Sequence, residues 1–408
     1  MSRKQSILIG LTIILVLCLI TFLVFLLKKK PVEWSPGNAL HRVSPPSLMD
    51  SPDVGNVKSL IDAIDFSLEY FKKVDPQTPV IFGPDRFTAR QVKESLEDFK
   101  SKLWEYGLTD TFYQYVRQNY TFYKSAADDV LFTGYYEAQL NGSLTQSETY
   151  CCPLYKTPTD LVRIDLSQFP FYQKYKGLPG ILRGRLSNNN HIVPYYSRQE
   201  IDSQQMLSGK DLEIVWIDNP IDVFFLQVQG SGIVQLDTGQ KLRVNYDESN
   251  GHPYRAIGRL LVERGILTYE NMSMQSIRQY LETHPDEMAD IFNYNPSYVF
   301  FRQVEQGPIG SLGVPVTPFR SIATDKYLFP KGALCCIETE LPVFDEEGRL
   351  IEWKKYNGFV LNQDTGGAIR SPGRVDLFTG HGKKSEWTAG HMRREGIFYF
   401  MIKNRGGL

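Results

Sequence analysis

From Val130 onward the sequence is cut into short runs rich in Val, Ile, Phe and Tyr, separated by Gly, Pro and Asn. β-branched and aromatic residues suit a pleated, half-buried surface, and interruptions this frequent leave little room for long helices, so the body is expected to be mainly β. Within it, Ile233–Leu236 and Lys241–Val244 flank Asp237-Thr238-Gly239-Gln240, a good hairpin turn. Helices are expected at the edges. Val57, Leu60, Ile61, Ile64, Leu68 and Phe71 recur at helical spacing, and Thr88 with Gln91 forms a capping box ahead of Val92, Leu96, Phe99 and Leu103. Pro253 and Gly265 bracket a further helix through Ile257, Leu260 and Leu261. Short helices are expected from Ser273 to about Glu282 and from Pro285 to about Phe292, with strands resuming after Phe301 and continuing to the C-terminus.

Ahead of this body, Ile7 to Leu27 is an almost unbroken apolar stretch, long enough as a helix to cross a hydrocarbon core of about 30 Å. It runs directly into Lys28, Lys29 and Lys30 with no small-residue cleavage site, which favours an uncleaved N-terminal transmembrane helix. Leu17 before Cys18 makes lipidation the weaker alternative. Arg3 and Lys4 oppose the three lysines, so charge alone leaves orientation open. From Pro31 to about Pro52, five prolines and few large apolar residues give a semi-extended tether.

Lysine plus arginine (45) nearly cancels aspartate plus glutamate (46), which excludes a broad basic surface for nucleic acid. Beyond Cys18, the cysteines form two adjacent pairs, Cys151-Cys152 and Cys335-Cys336, without metal or thioredoxin-like spacing. A disulfide between the pairs stays open at this level. The six histidines are scattered, no serine or cysteine triad or phosphate loop is evident, and neither metal nor cofactor is expected.

The segment richest in chemistry runs from Gln363 to Gly380 and sets Asp364 and Asp376 on either side of a glycine-rich passage, Gly366-Gly367 to Gly373. Glycines admit close approach of backbone or ligand. Val375, Leu377 and Phe378 are expected to bury the strand around Asp376 and keep its carboxyl protonated for proton donation. The Asp-Thr-Gly triplets at Asp237 and Asp364 also suggest a pepsin-like pair, but Asp237 is accounted for by its hairpin, and Gln240 and Gly367 are not the residues such proteases carry next.

Six runs in order resemble the membrane-bound lytic murein transglycosylase A (MltA) family: residues 132–137, 224–232, 250–255, 295–301, 320–325 and 364–380. The resemblance implies a double-psi β-barrel with an inserted second β-domain and a groove between them. The expected division is a 1–30 membrane anchor, a 31–52 tether, 53–140 as the first barrel part, 141–301 as the insert and 302–408 as the catalytic, three-aspartate (3D) part. Asp325, Asp364 and Asp376 match the family's three aspartates, with Asp376 implied as catalytic acid and base and Asp364 as its support. Implied groove residues are Tyr135, Tyr136, Glu137, Gln227, Gln229, Ser231, Ser321, Asp325, Gly366, Gly367 and Arg374. The implied reaction cuts peptidoglycan between N-acetylmuramic acid and N-acetylglucosamine with formation of a 1,6-anhydro ring, by a membrane-anchored body in the periplasm. Cell-wall synthesis or division proteins as partners, a glycan-gripping scaffold without catalysis, and the choice of membrane are left open.

Overall fold

A computed structural model describes residues 33–47, 53, 55–170, 172 and 180–404. The apolar leader expected to span a bilayer lies outside the described residues, and among those described no helix is long and apolar enough to cross a membrane. Residues 1–35 and 36–408 separate as two units, and the second contains all of the described strands and helices.

This second unit opens with β1 (Leu40–Val43), α1 (Val57–Lys72), the hairpin β2 (Pro79–Phe82) and β3 (Asp85–Thr88), α2 (Ala89–Tyr106), α3 (Asp110–Asn119), β4 (Tyr120–Ser125) and the long β5 (Val130–Ser143). α1 buries Leu60, Ile61, Ile64 and Phe71, the apolar stripe legible in the sequence. α2 starts at the expected capping box, with Thr88 accepting the Gln91 N–H and the Gln91 side chain accepting the Thr88 N–H. α3 was not anticipated. Its residues Phe112, Tyr113 and Val116 form a short apolar face against Phe99 and Phe359.

The middle contains β6 (Cys152–Tyr155), β7 (Val162–Asp165), β8 (Ile181–Leu186), β9 (Ile192–Pro194), β10 (Glu213–Ile217), α4 (Pro220–Gln229), β11 (Ser231–Leu236), β12 (Lys241–Ser249), α5 (Ile257–Glu263), α6 (Met274–Thr283), α7 (Pro285–Asn293) and β13 (Val299–Val304). The β11–β12 hairpin turns where expected, with Gly239 at φ +84°. α4 is a helix inside a run that reads as strand. Its Phe-Phe-Leu-Gln-Val sequence hides ordinary end signals, namely Asn219 capping the Ile221 N–H, proline in the first turn and Gly230 in the left-handed conformation at the end. α5 begins at Ile257, four residues after Pro253, so that proline does not open it.

The C-terminal part contains β14 (Ser321–Thr324), β15 (Leu334–Phe344), β16 (Leu350–Thr365), β17 (Arg374–His381), α8 (Lys383–His391) and β18 (Arg393–Lys403). α8 interrupts the strands that were expected to continue to the C-terminus. The described fold is therefore mixed α/β and strand-rich, less purely β than the composition implies.

Six strands close on themselves in the order β5, β17, β14, β16, β15, β18 and back to β5. The ring mixes directions: β17 is parallel to β5 and β14 is parallel to β16, while the other four pairings are antiparallel. Phe132, Ile322, Val360, Val375, Leu377 and Phe400 are buried in these strands. β5 serves two structures, because residues beyond the barrel pair in parallel with β11, Ala138 opposite Gly232 onward. One continuous strand thus joins the barrel to the β11–β12–β13 sheet.

A buried ion pair ties the start of the body to the barrel. Asp53 accepts from both terminal nitrogens of Arg320, at 2.6 and 2.9 Å, and from the Phe359 N–H at 2.7 Å. All four described cysteines are free. Cys335 and Cys336 are sealed in β15, whereas Cys151 is exposed beside β6, so the inter-pair disulfide is not formed. Burial pushes both the Cys335 and Cys336 thiols well above their ordinary value.

Candidate active-site cleft

A cleft of about 700 Å³ opens between β16, β17 and their loops on one wall and α4, β11 and β12 on the other. Asp376 lies on β17, opposite Thr133 of β5 and Ala323 of β14. Residues two apart on a strand share a face, so Arg374 lies beside it. Asp376 Oδ1 accepts from Arg374 Nε at 3.1 Å and from the Thr133 hydroxyl, and Oδ2 accepts from Arg374 Nη2 at 3.4 Å. The side chains of Arg374 and Asp376 stay 33% and 17% exposed, which puts this ion pair at the cleft surface.

The expected apolar enclosure of Asp376 is not what forms. Strand alternation turns Val375 and Leu377 to the opposite face, where both are fully buried, and leaves the Asp376 carboxylate among polar groups. Burial pushes Asp364 above its ordinary value, against hydrogen bonds from Ser311, Thr365 and Tyr135. Its Oδ1 accepts the N–H groups of Ser311 and Thr365 at 2.9 and 2.8 Å, and its Oδ2 accepts the Tyr135 hydroxyl at 3.0 Å. Burial, together with the negative charge of Asp364, raises the Tyr135 phenol well above its ordinary value.

The segment from Pro308 to Gly313 is fixed from both sides. Asn245 of β12 exchanges two hydrogen bonds with the Ile309 backbone, at 2.8 and 3.0 Å, while Asp364 holds Ser311. Gly310 is required here, because a Cβ would lie 2.8 Å from the Gln363 carbonyl oxygen and from Val316. By contrast, a Cβ on Gly367 would meet nothing within 4 Å, so that glycine opens the cleft wall without close packing.

The cleft gathers Tyr135, Gln227, Gln229, Ser231, Asp364, Gly366, Gly367, Arg374 and Asp376 from the sequence reading. Several have structural duties as well. Gln227 accepts from the buried Arg198 at 2.5 Å, and Gln229 accepts the Tyr136 N–H at 3.0 Å. Four expected groove residues do not line the cleft. Tyr136 is buried in the hydrophobic cluster that includes Leu140, Leu226 and Val234, and Glu137 is buried against Arg243 at 2.8 Å. The Ser321 hydroxyl donates to Gln363 at 2.5 Å, and Asp325 accepts the Tyr327 N–H of a turn. In each case the side chain is spent on holding the fold.

The pepsin-like pair does not assemble, since Asp237 sits in the exposed β11–β12 turn and Asp364 is occupied by its three donors. Sequence reasoning missed Thr133, although it lies inside a quoted motif. It also missed Arg198, Asn245, Tyr246 and Ser311. Tyr246 and Tyr254, 40% and 39% exposed, are the cleft's accessible aromatic rings. Arg198 is fully buried between the rings of Phe224 and Tyr298 and donates to the carbonyls of Asn295 and Ser297.

A mixed-direction barrel with a carboxylate at its cleft wall and a second sheet opposite defines the class, and sequence comparison supports the assignment. Residues 131–302 match the MltA specific insert domain and residues 320–402 match the 3D domain. The chain belongs to the MltA family. It is 29% identical over 357 residues to membrane-bound lytic murein transglycosylase A of Escherichia coli strain K12, covering 85% of this chain and 83% of that one. The crystal structure of a membrane-bound lytic murein transglycosylase from Agrobacterium tumefaciens superposes with a TM-score of 0.72 at 29% identity, over 90% of this chain and 98% of the other. E. coli MltA with bound chitohexaose shares the fold at a TM-score of 0.66 and 20% identity, over 93% and 99%.

Proposed function

We propose that the chain is a lytic transglycosylase that cleaves the β-1,4 bond between N-acetylmuramic acid and N-acetylglucosamine in peptidoglycan, with Asp376 as its single acid and base. The observation that carries the reading is an elimination within the cleft. Its lining contains three carboxylates, Asp247, Asp364 and Asp376. Asp364 takes three donors over its two oxygens, and Asp247 sits across the cleft taking the Thr157 hydroxyl. Asp364 and Asp376 both stand part-exposed on barrel strands, and of the two Asp376 has the looser oxygen, its Oδ2 meeting Arg374 at 3.4 Å while both Asp364 oxygens take donors at 3.0 Å or less. A rigid strand suits proton transfer, which needs donor and acceptor within hydrogen-bond reach.

In the proposed reaction the Asp376 carboxyl gives its proton to the glycosidic oxygen as the bond to C1 breaks. The same carboxylate then takes the proton of the substrate's C6 hydroxyl, whose oxygen closes the 1,6-anhydro ring. Because the nucleophile is intramolecular, no second carboxylate is needed to activate water, unlike the paired-acid glycosidases. Before the first step the Arg374 contact has to open, since a carboxyl donates a proton only when it is not held as the anion of an ion pair. Arg374 lines the cleft itself, so sugar oxygens of a bound strand can take over its donors.

In this reading the six-stranded ring is the double-psi barrel, built from 53–140 and 302–408, with 141–301 as the inserted domain. β5, which pairs with strands of both, supports that division. Relatives named as membrane-bound support a membrane-anchored body acting in the periplasm, and the structure with chitohexaose supports glycan strands as the ligand. Removal of units from strand ends is the exolytic mode proposed. The Arg374–Asp376 pair favours one alternative, a scaffold that grips strands without cutting them. Digestion of purified sacculi with wild type and Asp376→Asn, followed by mass spectrometry, tests both: 1,6-anhydro ends from the wild type alone support the enzyme, and strand binding without new ends supports the scaffold.

A further inference from the structure

Among the described residues, three exposed cations on the cleft rim have no counter-charge: Lys326 after β14, Lys331 ahead of β15 and Arg370 between β16 and β17. None of the three forms an ion pair with a described residue, and the contact Lys326 makes is with the Tyr327 ring, 4.9 Å from its centroid. The topology explains their convergence. β14 and β16 run parallel with Thr324 opposite Thr365, so the segments bearing Lys326 and Arg370 leave the barrel side by side. The Gly332 N–H donates to the Asn362 carbonyl at 2.8 Å and returns Lys331 to the same end. Of the acids on this wall, Asp376 is paired with Arg374 and Asp364 is held by Tyr135, Ser311 and Thr365, and neither forms an ion pair with the three cations.

Like charges gathered at a cleft repel one another and attract an anion. Sugar hydroxyls and N-acetyl groups are neutral and are held by hydrogen bonds and ring stacking, so a neutral strand offers this rim hydrogen bonds but no charge to pair with. Muramoyl residues differ by a lactyl ether that ends in a carboxyl group or in a peptide carrying its own carboxylates. We propose that Lys326, Lys331 and Arg370 form an anion-recognising rim that selects glycan strands bearing carboxylates on that ether over neutral strands. The inference rests on the reading of the cleft as a peptidoglycan site.

The test uses the full chain and the triple variant K326Q/K331Q/R370Q, with peptide-bearing strands, strands stripped of peptide by an amidase, and neutral chitohexaose. The variant is expected to lose about tenfold in kcat/KM on carboxylate-bearing strands, through KM and with kcat held. Its chitohexaose affinity and melting temperature stay at wild-type values. Raising salt from about 50 to about 500 mM closes the gap between wild type and variant. Loss confined to peptide-bearing strands assigns the anion to the peptide, and equal loss on stripped strands assigns it to the lactyl carboxylate. Unchanged kcat/KM on both strands overturns the rim, as does an equal loss of chitohexaose binding. If the wild type makes no anhydro ends, the transglycosylase reading fails separately, and cosedimentation of variant and wild type with sacculi then decides the rim by the same tenfold criterion.

Discussion

At the level of single side chains, the cleft sets two aspartates in contrasting surroundings. Asp376 faces Thr133 across the β17–β5 register and Arg374 two residues back on its own strand, while Asp364 takes donors on both of its oxygens. Because burial raises Asp364 above its ordinary value, the folded state holds that proton to higher pH than the unfolded state does. Its contribution to stability is therefore complete below the unfolded value of about 3.9 and is lost as pH rises through the folded value. Asp364→Asn removes the titration. Urea unfolding at several pH values is expected to show the variant gaining on the wild type as pH rises from about 4 toward neutrality. A constant difference across that range would assign Asp364 no such linkage. The glycine-rich passage singled out both aspartates, but their partners lie far away in sequence. Tyr135 and Thr133 precede Asp364 and Asp376 by 229 and 243 residues, and no local pattern records such contacts.

Elements were legible where their signals are local. Thr88 and Gln91 mark the start of α2 through hydrogen bonds three residues apart, and the turn at Gly239 marks a hairpin. Thr88→Ala is expected to cost about 1 kcal/mol, measured by urea unfolding, because it strips one capping acceptor. α4 and α8 were missed for different reasons. The aromatic and β-branched content of α4 mimics a strand and outweighed its end signals, while α8 carries little apolar periodicity and buries chiefly Thr388 and Ala389. The link between α1 and the barrel has a further consequence. Asp53→Ala leaves the Arg320 guanidinium buried without a carboxylate, and the expected loss is about 3–5 kcal/mol in equilibrium unfolding. A loss below about 1 kcal/mol would mean that water or Ser59 replaces the carboxylate.

For the whole molecule, β-rich composition indicated a strand-dominated body, but closure of six strands into a ring depends on registers that composition does not encode. β5 illustrates the point, as one run of residues pairs with β17 and β18 at one end and with β11 at the other. That double use sets the insert sheet beside the barrel and creates the cleft in which Arg374 and Asp376 meet. The resemblance to the MltA family pointed to the strand-rich fold shared with its relatives, which periodicity could not. Proton transfer by Asp376 is tested by mass spectrometry of sacculi digested by wild type and Asp376→Asn. Muropeptides ending in 1,6-anhydro rings are expected from the wild type and at least about a hundredfold fewer from the variant, with an unchanged melting temperature. Anhydro ends at wild-type rates from Asp376→Asn, or reducing ends from the wild type, would contradict it.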